Sequence, residues 1–361
     1  MKLTISQPAL TDALAWALNA VSTRPPVPAL SGVRVEAQAG VARFTGFDYE
    51  TLAATTASVD TEAPGHVVTP GRATLDIVKG LPKNAAVTVE EAGEGRLRIT
   101  AGRSKYEVPL IPAADYPRTP DLPPAVGTVD GGLFGDAVKR VGVAASKDGT
   151  LPILAALHIT ATPDGLTLEA TDRYRVAEDQ VPATITGDVP EKGWLVRADR
   201  LAGRIPAAGD VTLLAGYAMF GVRTGTRVYI TQVTDGDYPK ITRLWPADPP
   251  TTVVFDRDAL AQAVAAIATV AERNTPVILD IRGDEIVLEA GGENGSGTEV
   301  VTCQATDTAR VAYNPVYLRE CLLHVPAGNV ALNLTRPGKP ATITGTNHAR
   351  ALLMPVGLPN S

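Results

Sequence analysis

Leu151-Pro152-Ile153-Leu154 reveals a repeat in the sequence, because related segments lie 124 residues to either side of it. These are Val27-Pro28-Ala29-Leu30 and Thr275-Pro276-Val277-Ile278. Each follows a segment with the apolar spacing of a helix, and each is predicted to open a β-strand. One landmark at one spacing indicates three copies of one structural unit.

Two further landmarks repeat in the same order. Extended segments are predicted over residues 105–111, 227–233 and 350–356, at spacings of 122 and 123 residues. Asp115-Tyr116-Pro117 recurs 122 residues later as Asp237-Tyr238-Pro239. The repeat therefore holds through the length of each unit.

The repeat predicts three domains, over residues 1–122, 125–247 and 251–361. Proline-rich segments at residues 117–124 and 246–250 lie where these units should meet. Proline lacks a backbone donor and stiffens the chain, which makes these segments suitable linkers.

Each unit is predicted to contain two helices. The first is indicated by apolar residues at three- and four-residue intervals, which place one apolar stripe on one helix face. The stripes are Leu10, Leu14, Leu18 and Val21, then Phe134, Val138, Val141 and Ala145, and then Leu260, Val264, Ile267 and Val270. The second, shorter helix is predicted over residues 72–80, 198–204 and 315–324.

The remainder of each unit is typical of β-strands. Apolar residues alternate with polar ones at Leu97 and Ile99, at Leu166 and Leu168, and at Ile286 and Leu288. Glycine and Asp-Gly turns separate the segments. The predicted class is α+β, with two helices packed on antiparallel sheet in each of three domains.

Composition narrows the class of function. The 361 residues carry a formal net charge of −6, which argues against a basic protein that reads a DNA groove. Net charge leaves room for a positive surface on one side. Cys303 and Cys321 form no disulfide framework, and no signal peptide or apolar stretch of about 20 residues is present, so a cytoplasmic protein without a membrane partner is expected.

Signatures of catalysis are missing from the sequence. It has no G-x-x-x-x-G-K-[ST] loop, and His66, His158, His324 and His348 lack metal-ligand spacing. The glycine-rich residues 291–297 are predicted to form a hairpin loop. We therefore expect no enzyme, no cofactor and no metal. An enzyme on this repeat scaffold would need a converging polar cluster.

Together with the repeat, five local signatures resemble the bacterial DNA polymerase III β subunit, the β sliding clamp, over essentially the full length. They are Thr23-Arg24-Pro25, Leu151-Pro152-Ile153-Leu154, Ala170-Thr171-Asp172-Arg173-Tyr174-Arg175-Val176-Ala177, Asp235-Gly236-Asp237-Tyr238-Pro239 and Leu352-Leu353-Met354-Pro355-Val356. The composition is poor in lysine and rich in Ala, Arg and Val, which points to a GC-rich, actinobacterial genome.

The resemblance implies a processivity factor. Three domains would form a crescent, and two crescents would close head-to-tail into a homodimeric ring with the helices lining the hole. The ring would encircle double-stranded DNA regardless of sequence, after opening by a clamp loader. It would tether the replicative polymerase and other proteins with a clamp-binding motif. A non-replicative interaction protein of the same fold is an alternative.

DNA-facing cations follow from the resemblance, and phosphate contacts alone would permit sliding. The predicted set is Arg24, Arg72, Lys79, Lys139, Arg140, Lys147, Arg197, Arg200 and Arg204. Asp199 stands where related clamps often carry lysine, which weakens the expected DNA contact beside Arg197 and Arg200.

The resemblance also implies a pocket for partner peptides between the second and third domains. Its predicted residues are Leu154, Thr171, Arg173, Tyr174, Arg175, Val176, Pro239, Arg243, Leu244, Leu352, Met354 and Val356. The apolar members would form a slot, while Arg175 and Arg243 would hold acidic or carbonyl groups at its rim. In the alternative interpretation, Leu352, Met354 and Val356 are alternate residues of a last strand that faces the core.

The carboxy-terminal tail departs from the family pattern. Gly357 replaces the usual arginine, and Leu358-Pro359-Asn360-Ser361 extends past the usual end. With Asp199, this motivates the hypothesis of a specialised second clamp that tolerates an inhibitor directed at the pocket, and hence a link to antibiotic resistance.

Overall fold

The computed structural model describes residues 1–246, 248–270, 275–292, 295–336 and 338–358. Its helices are α1 (Gln7–Ala17), α2 (Gly71–Gly80), α3 (Gly131–Gly142), α4 (Ala198–Leu201), α5 (Arg257–Ile267) and α6 (Pro315–His324). The strands of the amino-terminal third are β1 (Lys2–Ser6), β2 (Gly32–Gln38), β3 (Val41–Phe47), β4 (Thr51–Ser58), β5 (Asp60–Ala63), β6 (Gly65–Pro70), β7 (Ala86–Glu91), β8 (Arg96–Ala101) and β9 (Ser104–Pro109). The middle third contains β10 (Ala125–Asp130), β11 (Ala156–Thr162), β12 (Gly165–Thr171), β13 (Arg175–Ile185), β14 (Trp194–Arg197), β15 (Asp210–Ala215), β16 (Met219–Thr224) and β17 (Arg227–Gln232). The last third contains β18 (Thr251–Asp256), β19 (Val277–Ile281), β20 (Glu285–Gly292), β21 (Gly295–Ala305), β22 (Ala309–Tyr313), β23 (Asn329–Leu334), β24 (Ala341–Thr344) and β25 (Arg350–Leu353).

Contacts divide the chain into two compact units. The first unit comprises Met1–Val129, Thr186–Val189 and Arg204–Val233, and the second comprises Asp130–Ile185, Pro190–Gly203 and Thr234–Ser361. The middle repeat contributes to both units, because its strands continue the sheets of its neighbours: β17 pairs with β4 in the first unit, and β13 pairs with β25 in the second. The domain boundaries drawn from the repeat stay predictions.

The first unit contains two antiparallel sheets. One has the strand order β5-β1-β7-β8-β9. The other runs β15-β16-β17-β4-β3-β2-β6. Helices α1 and α2 contact each other, and residues of both belong to a core shared with β1, β2, β3, β7 and β8. Burial of this apolar surface is the main source of the unit's stability.

A tryptophan on α1 strengthens the junction of β4 and β17. The Trp16 indole N–H donates to the carbonyl oxygens of Ala54 and Val228, at 3.0 and 3.2 Å. Arg227 lies over the Trp16 ring at 5.0 Å and forms an ion pair with Asp12. Strands from two repeats are thus joined by side chains as well as by the backbone.

The second unit also contains antiparallel sheet on which helices pack. One sheet runs β14-β11-β12-β13-β25-β24-β23-β18, and β22-β19-β20-β21 forms another. Helices α5 and α6 share a large core with these strands. Helix α3 packs on β12 and β13. The predicted α+β class is confirmed.

Local sequence explains where these helices begin. The Asp130 and Asp256 carboxylates accept from the amides of Leu133 and Ala259, each at 2.8 Å, and so cap α3 and α5. Asn314 caps α6 in the same way, and Pro315 supplies a fixed φ at the first helical position.

The predicted helices are present, with corrections at their ends. Helix α6 has the predicted bounds, whereas α4 has four residues and ends at Leu201, short of the predicted residue 204. The apolar stripes also extend beyond the helices: Val21 follows a 3₁₀ turn over Leu18–Ala20, and Val270 lies three residues after α5. Apolar spacing marks burial, which continues into the turns that follow a helix.

The landmark that revealed the repeat opens a strand in one copy only, at β19. In the first copy Pro28–Ser31 form a 3₁₀ turn, and in the second Leu154 donates its amide to the Leu151 carbonyl in a turn before β11. A proline at the start of a tight turn accounts for both, since its fixed φ suits that position. The glycine-rich residues 291–297 join β20 to β21, whose register ends at Gly292 opposite Gly295, while residues 293–294 lie outside the described part.

We predict that acid destabilises the second unit through His324. This residue is buried at the end of α6, where its Nε2 lies 2.9 Å from the Glu178 carbonyl oxygen, and burial lowers its pKa below the usual 6.5. The neutral folded form contributes stability above pH 6.5, and that stability is lost as pH falls, because the unfolded chain gains the proton first. Between pH 7.5 and 5.5 we expect the free energy of unfolding, measured in urea, to fall.

His324→Gln should flatten this pH dependence, since glutamine keeps a donor without titrating. His66→Gln, at an exposed position, is the control and should retain the wild-type dependence. Equal slopes for His324→Gln and the wild type would contradict the assignment.

Candidate functional site

A small apolar cluster, separate from the large cores, lies among the residues predicted to form the pocket. Val176, Ile241 and Leu352 are buried in contact, and Tyr238 and Trp245 pack against them. Val176 and Leu352 are directly opposite in the β13–β25 pairing. All five residues belong to the second unit. We call this set the pocket floor.

The last strand has two different faces. Ala351 and Leu353 face the large core of the second unit, whereas Leu352 faces the pocket floor, as the alternation of a strand requires. Strand β25 ends at Leu353. After it, Met354 is partly exposed and Val356 is exposed. The alternative that Leu352, Met354 and Val356 are alternate residues of a last strand facing the core is therefore wrong for Met354 and Val356, which follow the strand, whereas Leu352 is on the strand and buried in the small cluster.

The other predicted pocket residues differ in exposure. Leu154 and Thr171 are buried, while Arg173, Tyr174, Pro239, Arg243 and Leu244 are exposed. Arg243 and Leu244 lie on a 3₁₀ turn, Ile241–Leu244, whose first residue is in the floor. The Met354 amide donates to the Tyr174 carbonyl at 2.9 Å, which holds the residue after β25 beside the hairpin between β12 and β13.

Sequence reasoning missed three members of the floor, namely Tyr238, Ile241 and Trp245. Tyr238 stacks on His158, with ring centroids 4.6 Å apart, and burial raises its pKa. His158 is itself held by the Glu169 carboxylate and the Lys192 carbonyl, each at 2.9 Å. The Asp-Tyr-Pro repeat was the available signal for Tyr238, whereas the other two are isolated apolar residues in a loop.

The prediction that Arg175 is a rim cation is wrong. Only 4% of its side chain is exposed, and its guanidinium is already bound to the Asp172 and Glu320 carboxylates and to the Val143 carbonyl. It also lies over the Tyr317 ring at 4.5 Å. A buried guanidinium needs such partners, so Arg175 is structural. Arg243 is exposed, and its place at the rim stays a prediction.

The hairpin between β12 and β13 is strained at Arg173. Its φ is 79°, a left-handed conformation that costs a non-glycine residue about 1 kcal/mol. Local hydrogen bonds stabilise this geometry: the Arg173 amide donates to the Thr171 hydroxyl at 3.1 Å, and the Tyr174 and Arg175 amides donate to Asp172. Strain held in place by its surroundings is frequent at binding sites.

We predict that Arg173→Gly stabilises the protein by about 0.5–1 kcal/mol, because glycine adopts this φ without a clash. The free energy of unfolding in urea measures the effect. Arg282→Gly, at an exposed turn position without a positive φ, should destabilise instead. Destabilisation by both changes would show that the Arg173 side chain outweighs its backbone strain.

The predicted DNA-facing cations differ in their availability. Arg24, Arg72, Lys79 and Lys147 are exposed, and so is Lys139, which lies 3.5 Å from Asp136. Arg140 instead donates to the buried Asp179 carboxylate at 2.6 and 3.2 Å, so its charge is already neutralised. Arg204 lies over the Tyr229 ring at 5.9 Å.

Asp199 acts as a local counter-charge. Arg197 donates to its two carboxylate oxygens at 3.0 and 2.7 Å, and this hydrogen bonding holds the pKa of Asp199 below its usual value. Arg200 contributes to the same shift. A phosphate at this position would have to compete with an ionised carboxylate.

Among the described residues, no cluster of His, Cys, Asp and Glu has a metal-binding arrangement. Cys303 and Cys321 are free and buried, and burial raises the pKa of the Cys321 thiol to about 12, which leaves it without nucleophilic thiolate. No described helix has the length and apolar character of a membrane span.

Family models match nearly the whole chain. Residues 1–120 match the N-terminal domain of the DNA polymerase III beta subunit, residues 128–240 its central domain and residues 242–356 its C-terminal domain. Among relatives, the beta sliding clamp of Micrococcus luteus is 41% identical over 309 residues, covering 84% of this chain and 99% of its own length. That of Streptomyces coelicolor is 32% identical, covering 99% and 100%. The beta sliding clamp homolog GriR of Streptomyces muensis is 28% identical and covers 99% of both chains.

Solved structures of similar fold include two with a bound molecule. The Caulobacter crescentus beta sliding clamp, with PEG at a putative beta-motif tethering region, has a TM-score of 0.90 and 26% identity, covering 99% of both chains. The Pseudomonas aeruginosa sliding clamp bound to griselimycin has a TM-score of 0.91 and 23% identity, covering 99% of this chain and 100% of its own. The latter likeness concerns the fold alone.

Proposed function

The chain belongs to the DNA polymerase III beta-subunit family and is therefore a DNA sliding clamp without catalytic activity; from this premise we propose how it closes into a ring and holds its partners. It acts in DNA replication with DNA and polymerase as partners. We further propose that it works on the nucleoid in the cytoplasm, that a clamp loader opens it, and that two copies form the ring.

Two unpaired strand edges support the homodimer. In the described part, β9 is the edge of its sheet, and residues 296–301 of β21 pair with β20 on one side only. Each edge presents an exposed apolar side chain, Tyr106 at 43% and Val300 at 57%. Unpaired edges readily accept another strand. We propose that β9 of one copy pairs with β21 of the other, and that two such head-to-tail contacts close the ring.

Retention on DNA tests the ring. After incubation with a clamp loader and ATP, the protein should stay on circular nicked plasmid and leave the linearised form at about 0.2 M salt, where electrostatic binding is weak. Equal loss from both forms would contradict encirclement and favour a non-replicative interaction protein. The exposed Arg24, Arg72, Lys79 and Lys147 are the proposed phosphate contacts.

The pocket floor carries the proposal for partner binding. It is a buried apolar cluster beside an exposed turn that adds Leu244, 46% exposed, and the cation Arg243. One or two apolar anchors of a peptide would supply most of the binding energy there. The supporting observation is that this floor is separate from the large cores, although it lies in the same unit.

Binding of a labelled clamp-binding peptide, followed by fluorescence anisotropy, tests the pocket. Leu244→Arg should weaken binding at least tenfold, because it places a charge in the apolar slot. Leu133→Arg alters a leucine of similar exposure on α3 and should leave the affinity unchanged. Unchanged affinity in Leu244→Arg would exclude this surface.

A second candidate function is a specialised clamp that tolerates a pocket inhibitor. The observation in its favour is Gly357, which is exposed and has open space where a side chain would lie. Griselimycin, which the Pseudomonas aeruginosa clamp binds, is the probe. Weaker binding to this chain than to that clamp, restored by Gly357→Arg, would support the specialised function, and equal binding would contradict it.

A further inference from the structure

An ion pair lies next to the pocket floor on the same face of the sheet. Glu178 and Arg350 are directly opposite in the β13–β25 pairing, one side-chain step beyond Val176 and Leu352. The Arg350 Nε and Nη2 donate to the two Glu178 carboxylate oxygens at 2.8 and 2.9 Å. This bidentate geometry fixes the plane of the guanidinium.

The fixed guanidinium covers Trp245. Its central carbon lies 4.1 Å from the indole centroid, within the range of a cation–π contact. Trp245 directly follows the 3₁₀ turn Ile241–Leu244 and packs on the pocket floor. The ring is therefore held between the floor and Arg350, and the turn that carries Arg243 and Leu244 ends at this ring.

The buried Glu178 side chain fixes the orientation of the more exposed Arg350 side chain. Its side chain is 4% exposed, whereas that of Arg350 is 35% exposed. An arginine this exposed would otherwise sample many rotamers. The buried carboxylate, set in the middle of β13, holds it in the one orientation that faces Trp245.

We infer that Glu178 and Arg350 are positioning residues, which hold Trp245 and the turn Ile241–Leu244 in the conformation that receives a partner peptide. The inference rests on the proposed peptide-binding function. Neither residue needs to touch the peptide, because the pair acts through the indole. Loss of the pair should leave the strands paired and release the turn.

The test uses the full chain and a double variant, Glu178→Gln with Arg350→Met. Replacing a buried ion pair by neutral side chains of similar size usually preserves a fold, whereas removing one partner does not. The matched control is Glu289→Gln with Arg310→Met, which removes an exposed ion pair of the same unit, 3.0 Å apart. Arg350→Lys keeps the charge without the planar group.

Two measurements separate the effect on the turn from the effect on peptide binding. Hydrogen exchange over residues 241–246 reports the turn without any ligand, and anisotropy with the labelled clamp-binding peptide reports the affinity. We expect exchange about tenfold faster and binding about tenfold weaker in the double variant and in Arg350→Lys, with neither change in the control. Exchange in β13 should stay slow throughout.

Unchanged exchange in the double variant would overturn the inference, and so would faster exchange with unchanged affinity. Full rescue by lysine would contradict the requirement for a planar guanidinium that is held bidentately over Trp245. If the wild-type chain binds no peptide, the proposed pocket fails, and the exchange measurement alone then decides whether the pair holds the turn.

Discussion

Arg175→Ala should lower the free energy of unfolding by about 3–5 kcal/mol, since it removes a buried guanidinium and leaves the partly buried carboxylates of Asp172 and Glu320 without their partner. The Arg175 Nε lies 3.1 Å from Asp172, and a second nitrogen binds Glu320 of α6. A third interaction reaches the Val143 carbonyl at the end of α3, at 2.5 Å. One guanidinium thus ties a hairpin to two helices.

Substitution by lysine is expected to recover only part of this loss. The lysine ammonium is a point charge and does not reproduce the planar fork that reaches three elements at once. Arg310→Ala is the control, because its pair with Glu289 is exposed and should contribute less than about 1 kcal/mol. Urea unfolding of the three variants measures the differences. A loss below about 1 kcal/mol in Arg175→Ala would show that Asp172 and Glu320 find water or other partners.

The role of Arg175 shows where the sequence stops being informative. Its position in the hairpin followed from local order, since Thr171 and Val176 bracket it at the ends of β12 and β13. Its burial did not follow, because Glu320 is 145 residues away in the chain. The sequence does not show whether an arginine is exposed or is buried with its hydrogen bonds satisfied. For Arg175 the packing of α6 decides this.

The helices were predictable for the opposite reason. Helix α6 has a cap, a proline and an apolar face within ten residues, so every signal is local. The short α4 lacks a side-chain cap and ends after one turn, short of the helix predicted over residues 198–204. The pocket floor was harder still to predict from the sequence. Ile241 and Trp245 belong to no apolar repeat in the sequence, and they pack with Val176 of β13 and Leu352 of β25, which are distant in the chain.

Placing an acidic residue on either proposed ring edge should abolish the homodimer. Tyr106→Glu alters β9, and Val300→Glu alters β21, and each charge would be buried against an apolar strand edge. A ring has two such contacts, and each contains one β9 and one β21. Either substitution therefore places a charge in both contacts. We expect the dimer dissociation constant to rise at least 100-fold in analytical ultracentrifugation, and expect Tyr217→Glu, at an exposed turn, to leave it unchanged.

Mixing the two variants identifies the kind of contact. In a head-to-tail arrangement, the intact β9 of a Val300→Glu chain meets the intact β21 of a Tyr106→Glu chain, so the mixture regains one wild-type contact. An open dimer should therefore form in the mixture although each variant alone is monomeric. If β9 instead paired with β9, every contact in the mixture involving a Tyr106→Glu chain would carry a charge, and no mixed dimer would form. The open dimer should also fail to stay on circular plasmid, because one contact holds two chains together but does not close a path around DNA.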